Sequence, residues 1–115
     1  MSLTPAQRIA VRDRTRLLGF PRTGRRAIVV GGGITAARRA AALTRSSSPV
    51  TVFAPALCDD VFDLLAERLV TWENRWPTQT DLADAWLVHA ATGDPELDAR
   101  VCAWAQSLRT TALTA

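Results

Sequence analysis

The sequence predicts a single α/β domain built on a parallel sheet of about five strands in the order 3-2-1-4-5, and three observations predict it. An apolar, largely β-branched run, Ala27-Ile28-Val29-Val30, reads as a strand buried on both faces. Gly31-Gly32-Gly33 follows at once and opens a segment rich in Ala and Arg, without Gly or Pro, which reads as helix. Beyond it, strand-like and helix-like segments alternate to the end of the chain. Such alternation implies parallel strands joined by right-handed crossovers.

The glycine turn carries the chemistry. Gly31, Gly33 and Ala36 fit the pattern G-x-G-x-x-G/A between a strand and a helix, the context that a dinucleotide-binding turn requires. Gly31 permits the tight turn, Gly33 lets the backbone approach a pyrophosphate, and Ala36 lets helix and strand pack closely. Free N–H groups at the helix start favour negative charge. The fold is therefore expected to be Rossmann-like. Valine at Gly31 or at Gly33 is expected to abolish nucleotide binding and leave a folded domain. Glycine-rich turns also occur in α/β domains that bind nothing.

Each later element has its own signal. Ser46-Ser47-Ser48-Pro49 is a turn, and Val50-Thr51-Val52-Phe53 is a second strand ending at Ala54-Pro55. A ribose-binding acid is common about 20 residues past the glycines. No acid occurs here before Asp59, and no Arg argues for a 2′-phosphate, so NAD is favoured over NADP. Asp59 or Asp60 is expected to cap a helix through Val61, Leu64, Leu65 and Leu69. Leu69 to Trp72 reads as a third strand, 81–84 as a brief helical turn, and Trp86 to Ala91 as a fourth strand. Asp94 caps a helix with Pro95 at its first position, and Leu97, Val101, Trp104 and Leu108 form its apolar stripe. Thr110 to Leu113 opens a fifth strand.

Composition bounds the surroundings. The chain has 115 residues, 48% of them hydrophobic, enough for one domain with its own core. No run of about 18 apolar residues occurs, and no apolar stretch follows the first Met, so neither a membrane span nor a secretory signal is expected. Two distant cysteines and one histidine suggest reduced thiols, a cytoplasmic setting and no metal site. All fourteen basic residues are Arg. Seven of them face one acid in residues 1–26, giving +6, and seven face ten acids in 27–115, giving −3. Residues 1–24 thus read as a basic arm or helix. Such a segment can hold a polyanion, but it is more often a solvated flank, and nucleic acid is not favoured.

Three further groups invite a role. His89 could serve as an acid or base, although a core or pocket-edge histidine is commoner. Trp72, Trp76, Trp86 and Trp104 could form a stacking platform, but read better as core. Arg38 or Arg39 could reach a phosphate or carboxylate, or simply face solvent.

The segments VVGGGITAARRAAAL, VTVFAP and DLADAWLVHAATGD, in this order, resemble the NAD-binding domain of the siroheme synthase and precorrin-2 dehydrogenase family over about residues 25–115. The resemblance implies an NAD-dependent oxidoreductase of siroheme, and hence porphyrin-type, biosynthesis that oxidises precorrin-2 to sirohydrochlorin. Some relatives also insert ferrous iron. It implies that Gly31, Gly32, Gly33, Ile34 and Thr35 meet the cofactor, that Pro55 and Ala56 flank its adenosine, and that Thr92 lies at the nicotinamide rim. A tetrapyrrole substrate follows, and a homodimer is compatible with it. Departures are also visible. Gly93-Asp94 stands where the family has Asp-Asp, and Asp98 replaces a characteristic Asn. The family's catalytic Asp has no counterpart up to Ala115. The dimerisation and substrate-closing segments have none either. The chain thus reads as a cofactor domain truncated relative to the family, or alternatively as a stand-alone NAD(H)-binding sensor whose basic arm meets a partner.

Overall fold

One strand organises the sheet: Ala27, Ile28, Val29 and Val30 are all 0% exposed. A strand buried on both faces needs cover on both sides, and the computed structural model, which describes residues 25–46 and 48–114, supplies it. The elements are β1 (Arg26–Val30), α1 (Ile34–Leu43), β2 (Val50–Phe53), α2 (Asp59–Ala66), β3 (Thr71–Glu73), a 3-10 turn (Thr80–Leu82), β4 (Ala85–Ala90), α3 (Pro95–Ser107) and β5 (Thr111–Thr114). All four strand pairings are parallel, and the order is β3-β2-β1-β4-β5, as the alternation requires. The basic segment 1–24 lies outside the described residues.

The two faces of β1 meet different cores. Ala27 and Val29 pack with Ala36, Ala37 and Ala40 of α1 and Val61 of α2, whereas Ile28 and Val30 pack with Val101 and Ala105 of α3. Each buried Val or Ile contributes roughly 1.5–3 kcal/mol. The small alanines of α1 let its axis sit close against the sheet. Cys58 packs on the first face and Cys102 on the second, so the sheet separates two free thiols.

Several boundaries differ from the sequence expectation. Neither Asp59 nor Asp60 caps α2. Cys58 holds the cap position without a side-chain bond, and both acids lie in the first turn. Leu69 is not on the helical stripe but 44% exposed. Its N–H bonds the Leu64 carbonyl at 3.0 Å, and Arg68 bonds Leu65 at 3.0 Å with φ 61. This closing turn unwinds the chain before β3 and delays the strand to Thr71. The same turn ends α3, through Arg109 at φ 58 and Thr110 N–H on the Ala105 carbonyl.

The link from β3 to β4 crosses without a full helix. Asp81 closes it, accepting two bonds from Arg75 at 2.7 and 2.9 Å and two from Thr78 at 2.6 and 3.0 Å. The bound Arg75 guanidinium holds the Asp81 carboxyl well below the usual carboxylate range. Arg26 ties the same link to the sheet, donating to Asp84, to Thr51 and to the Asp81 carbonyl, and Arg25 reaches the Ala85 carbonyl at 2.7 Å. Two of the seven arginines counted with the basic terminus are therefore structural.

Nor are the tryptophans core. Trp76 is exposed, and the other three are half-buried, Trp86 and Trp104 at the rims of the two clusters. Trp72 donates from Nε1 to the Ala54 carbonyl at 2.8 Å and meets Phe62 edge-on at 5.8 Å. An indole needs both room and a partner for its N–H, and a core filled with Ala and Val offers neither.

Candidate functional site

The strand order reverses between β1 and β4, and open α/β sheets bind ligands outside the carboxyl ends of their strands at such a switch point. A cleft of about 370 Å3 lies there, lined by Gly33, Ile34, Thr35, Ala91, Thr92, Gly93 and Asp98. It opens directly over the start of α1.

The three glycines serve three different ends. Gly31 has φ +136, and a Cβ on it would run into the Ala91 carbonyl oxygen. A Cβ on Gly32 would run into the Ala56 carbonyl oxygen, because the β2–α2 loop packs against the turn and Cys58 N–H bonds the Gly32 carbonyl at 2.7 Å. Gly33 is different. Its φ of −92 suits any residue, and a Cβ there would meet nothing within 4 Å. Packing inside the domain gives no reason for glycine at that position, but a ligand lying against the turn does. The expectation that valine at Gly31 leaves a folded domain is therefore corrected: of these three glycines, Gly33 alone faces open space.

Helix α1 begins without any side-chain cap. Gly33 is its N-cap, no side chain bonds the first-turn N–H groups, and no acid lies in that turn. The first N–H groups of a helix lack intrahelical partners and carry partial positive charge, so a bare start over an open cleft suits a phosphate or pyrophosphate. Ile34 is 48% exposed at the mouth, an apolar surface that a bound ring would cover. Open space at Gly33, uncapped donors and an exposed Ile34 together fit a dinucleotide.

The structure gathers Gly33, Ile34, Thr35 and Thr92 at the cleft, with Gly31 and Gly32 forming the turn beneath. Pro55 and Ala56 do not line it. They are exposed on the neighbouring β2–α2 loop, where Ala56 abuts Gly32. The sequence reading named no such role for Ala91, Gly93 and Asp98. Asp98 accepts from Thr92 N–H at 3.0 Å and from Thr92 Oγ1 at 2.8 Å, fixing the loop between β4 and α3. Its spacing, one turn into a helix that starts beside the cleft, was the available signal. Gly93 takes φ +84 in that loop.

Other candidates lie elsewhere. His89 is buried and lines no part of the cleft, and its Nε2 has no hydrogen-bond partner among the described residues. Burial, and then the charge of Arg39, push its pKa below the usual imidazole value. Arg38 and Arg39 are exposed on α1 and do not reach the cleft. Arg38 borders a groove with Asp60 and Asp63 of α2 instead. Among the described residues no group of three or more His, Cys, Asp or Glu could hold a metal, and no helix is long and apolar enough to cross a membrane.

Comparison with known proteins agrees with this geometry. A family model described as "Putative NAD(P)-binding" matches residues 20–115. The chain is 39% identical over 89 residues to the siroheme synthase of Nitrosospira multiformis, covering 74% of this chain and 19% of that protein. It is 41% identical over 71 residues to the siroheme synthase of Pseudoalteromonas atlantica, covering 62% and 15%. The chain thus spans less than a fifth of the length of these curated relatives. Among solved structures, SirC, a precorrin-2 dehydrogenase, superposes with a TM-score of 0.61 at 22% identity over 78% of this chain and 43% of that one. At that identity the likeness concerns the fold.

Proposed function

Because this chain belongs to the NAD(P)-binding domain family that its residues 20–115 match, we propose that it is the cofactor domain of a precorrin-2 dehydrogenase-type enzyme of siroheme synthesis. The observation that carries the proposal is the glycine turn: Gly33 opens onto a cleft beside an uncapped helix start. The relatives' names supply the pathway.

In this reading the N–H groups at the start of α1 hold the pyrophosphate, and the missing side chain of Gly33 lets it approach. Pro55 and Ala56, beside the end of β2, border the adenosine side. Thr92, held by Asp98, borders the nicotinamide side, and Ile34 covers the cofactor from the mouth. NAD, when bound, accepts a hydride from the donor carbon of the substrate. This chain's residues orient the acceptor and keep its phosphates in place.

Titration of the chain with NAD and NADP tests the cofactor, and saturable binding with NAD preferred is expected. Incubation with precorrin-2 and NAD, followed by NADH absorbance, tests the pathway. NADH formation supports the dehydrogenase. Saturable NAD binding without NADH formation favours a cofactor-holding module, and no binding of either nucleotide removes the proposal.

A further inference from the structure

We infer that Asp98 makes the cleft prefer the oxidised, cationic form of a nicotinamide cofactor over the reduced, neutral form, an inference that rests on the cofactor reading above. Among the described residues that line the cleft, Asp98 carries the one formally charged side chain. Both of its bonds from Thr92 land on Oδ1, so the carboxylate is fixed at the β4 side of the cleft. Among the described residues no hydrogen bond reaches Oδ2. The carboxylate also borders a second recess, of about 400 Å3, with Gly93, Pro95, Ala99 and Thr114. It therefore stands where the two spaces meet.

The direction of the effect follows from the fold. In a sheet of this order the adenosine ribose lies toward the end of β2, so the nicotinamide lies toward β4. The β1 side of the cleft offers the positive start of α1. The β4 side offers Asp98, in the first turn of α3. One turn further along α3, burial, and then the charge of Asp98, push the Cys102 thiol up. Oxidised and reduced cofactor differ by one positive charge on the nicotinamide ring and share the rest of the molecule. The ratio of their affinities therefore reports the field at the ring.

The test is calorimetric titration of the 115-residue chain with NAD+ and with NADH, for the unaltered protein, Asp98→Asn and Glu96→Gln. Asparagine keeps an acceptor for Thr92 and removes the charge. Glu96 is exposed in the same turn, does not line the cleft and serves as the control. Asp98→Asn is expected to lower the ratio of NAD+ to NADH affinity about threefold to tenfold, while Glu96→Gln changes it less than about twofold. High salt should move the unaltered protein toward the Asn variant, an arm that needs no substitution. An unchanged ratio in Asp98→Asn, an equal change in both variants, or insensitivity to salt overturns the inference and leaves the cofactor reading standing. If neither nucleotide binds the unaltered protein, both fall.

Discussion

Helices α1 and α3 both begin at the carboxyl edge of the sheet, against opposite sides of one cleft, and their first turns are built in opposite ways. The start of α3 is satisfied from within: Asp94 accepts from Glu96 N–H at 3.0 Å and from Leu97 N–H at 3.5 Å, Pro95 removes one donor, and acids complement the dipole. The start of α1 has glycine at its cap, no capping bond and no acid. A helix with glycine in place of a capping side chain forgoes about 0.5 kcal/mol. One that also faces a cleft keeps its donors and its positive end for something outside the protein. The backbone donors at the start of α3 are met from within the chain, whereas those at the start of α1 are left open to the cleft.

The comparison breaks most visibly at the turn below α1. Gly31→Val should destabilise the domain by roughly 4 kcal/mol or more in urea denaturation, since it combines φ +136 with a collision against the Ala91 carbonyl. A stable Gly31→Val protein would mean that the turn is not built as described. Next in size is Gly33→Asp, which gives α1 the cap that α3 already has. The melting temperature should hold or rise slightly, by about 0.5 kcal/mol of stability. NAD affinity should fall about 100-fold or more, because a carboxylate replaces the pyrophosphate at the donors. Undiminished affinity would refute the division of labour between the two helices.

The reciprocal change is smaller. Asp94→Ala should cost about 1 kcal/mol of stability and leave NAD affinity within about twofold, read by thermal melting and calorimetry on the same sample. Smallest is Asp81→Asn, remote from both helix starts, at roughly 0.5–1 kcal/mol near neutral pH through the lost charge-assisted bonds. Because Arg75 depresses the folded-state pKa of Asp81, its contribution is complete above the ordinary carboxylate range and fades as pH falls below it. Melting curves of the Asn variant and the unaltered protein should therefore converge in acid. A constant gap would assign the effect to packing.

Much of the site could be read from the chain because its signals are local. The strand Ala27–Val30, the glycine run and the Ala-rich helix are contiguous, so periodicity and composition locate the turn without knowledge of the fold. The cap at Asp94 was legible for the same reason, since Asp-Pro-Glu states its geometry within three residues. Legibility failed where distant segments compete for one place. Gly32 passes as the spacer of the fingerprint, yet the Ala56 carbonyl, brought there by the β2–α2 loop, leaves no room for a side chain. The end of α2 at Ala66 was obscured because Leu69 continues the apolar spacing while the chain closes its turn through Arg68, a residue with no glycine-like signature.

The sequence by itself determined the class of fold, the strand order and the position of the nucleotide turn, because alternation, handed crossovers and a glycine pattern are properties of neighbouring residues. The tertiary structure alone decided which glycine of the turn faces open space and which face backbone. It also placed Asp98 against Thr92 and set His89 away from the cleft. Those outcomes depend on how β1, β4 and the loops beside them approach one another across the sheet, and close packing between segments far apart in sequence leaves no periodic trace in the chain.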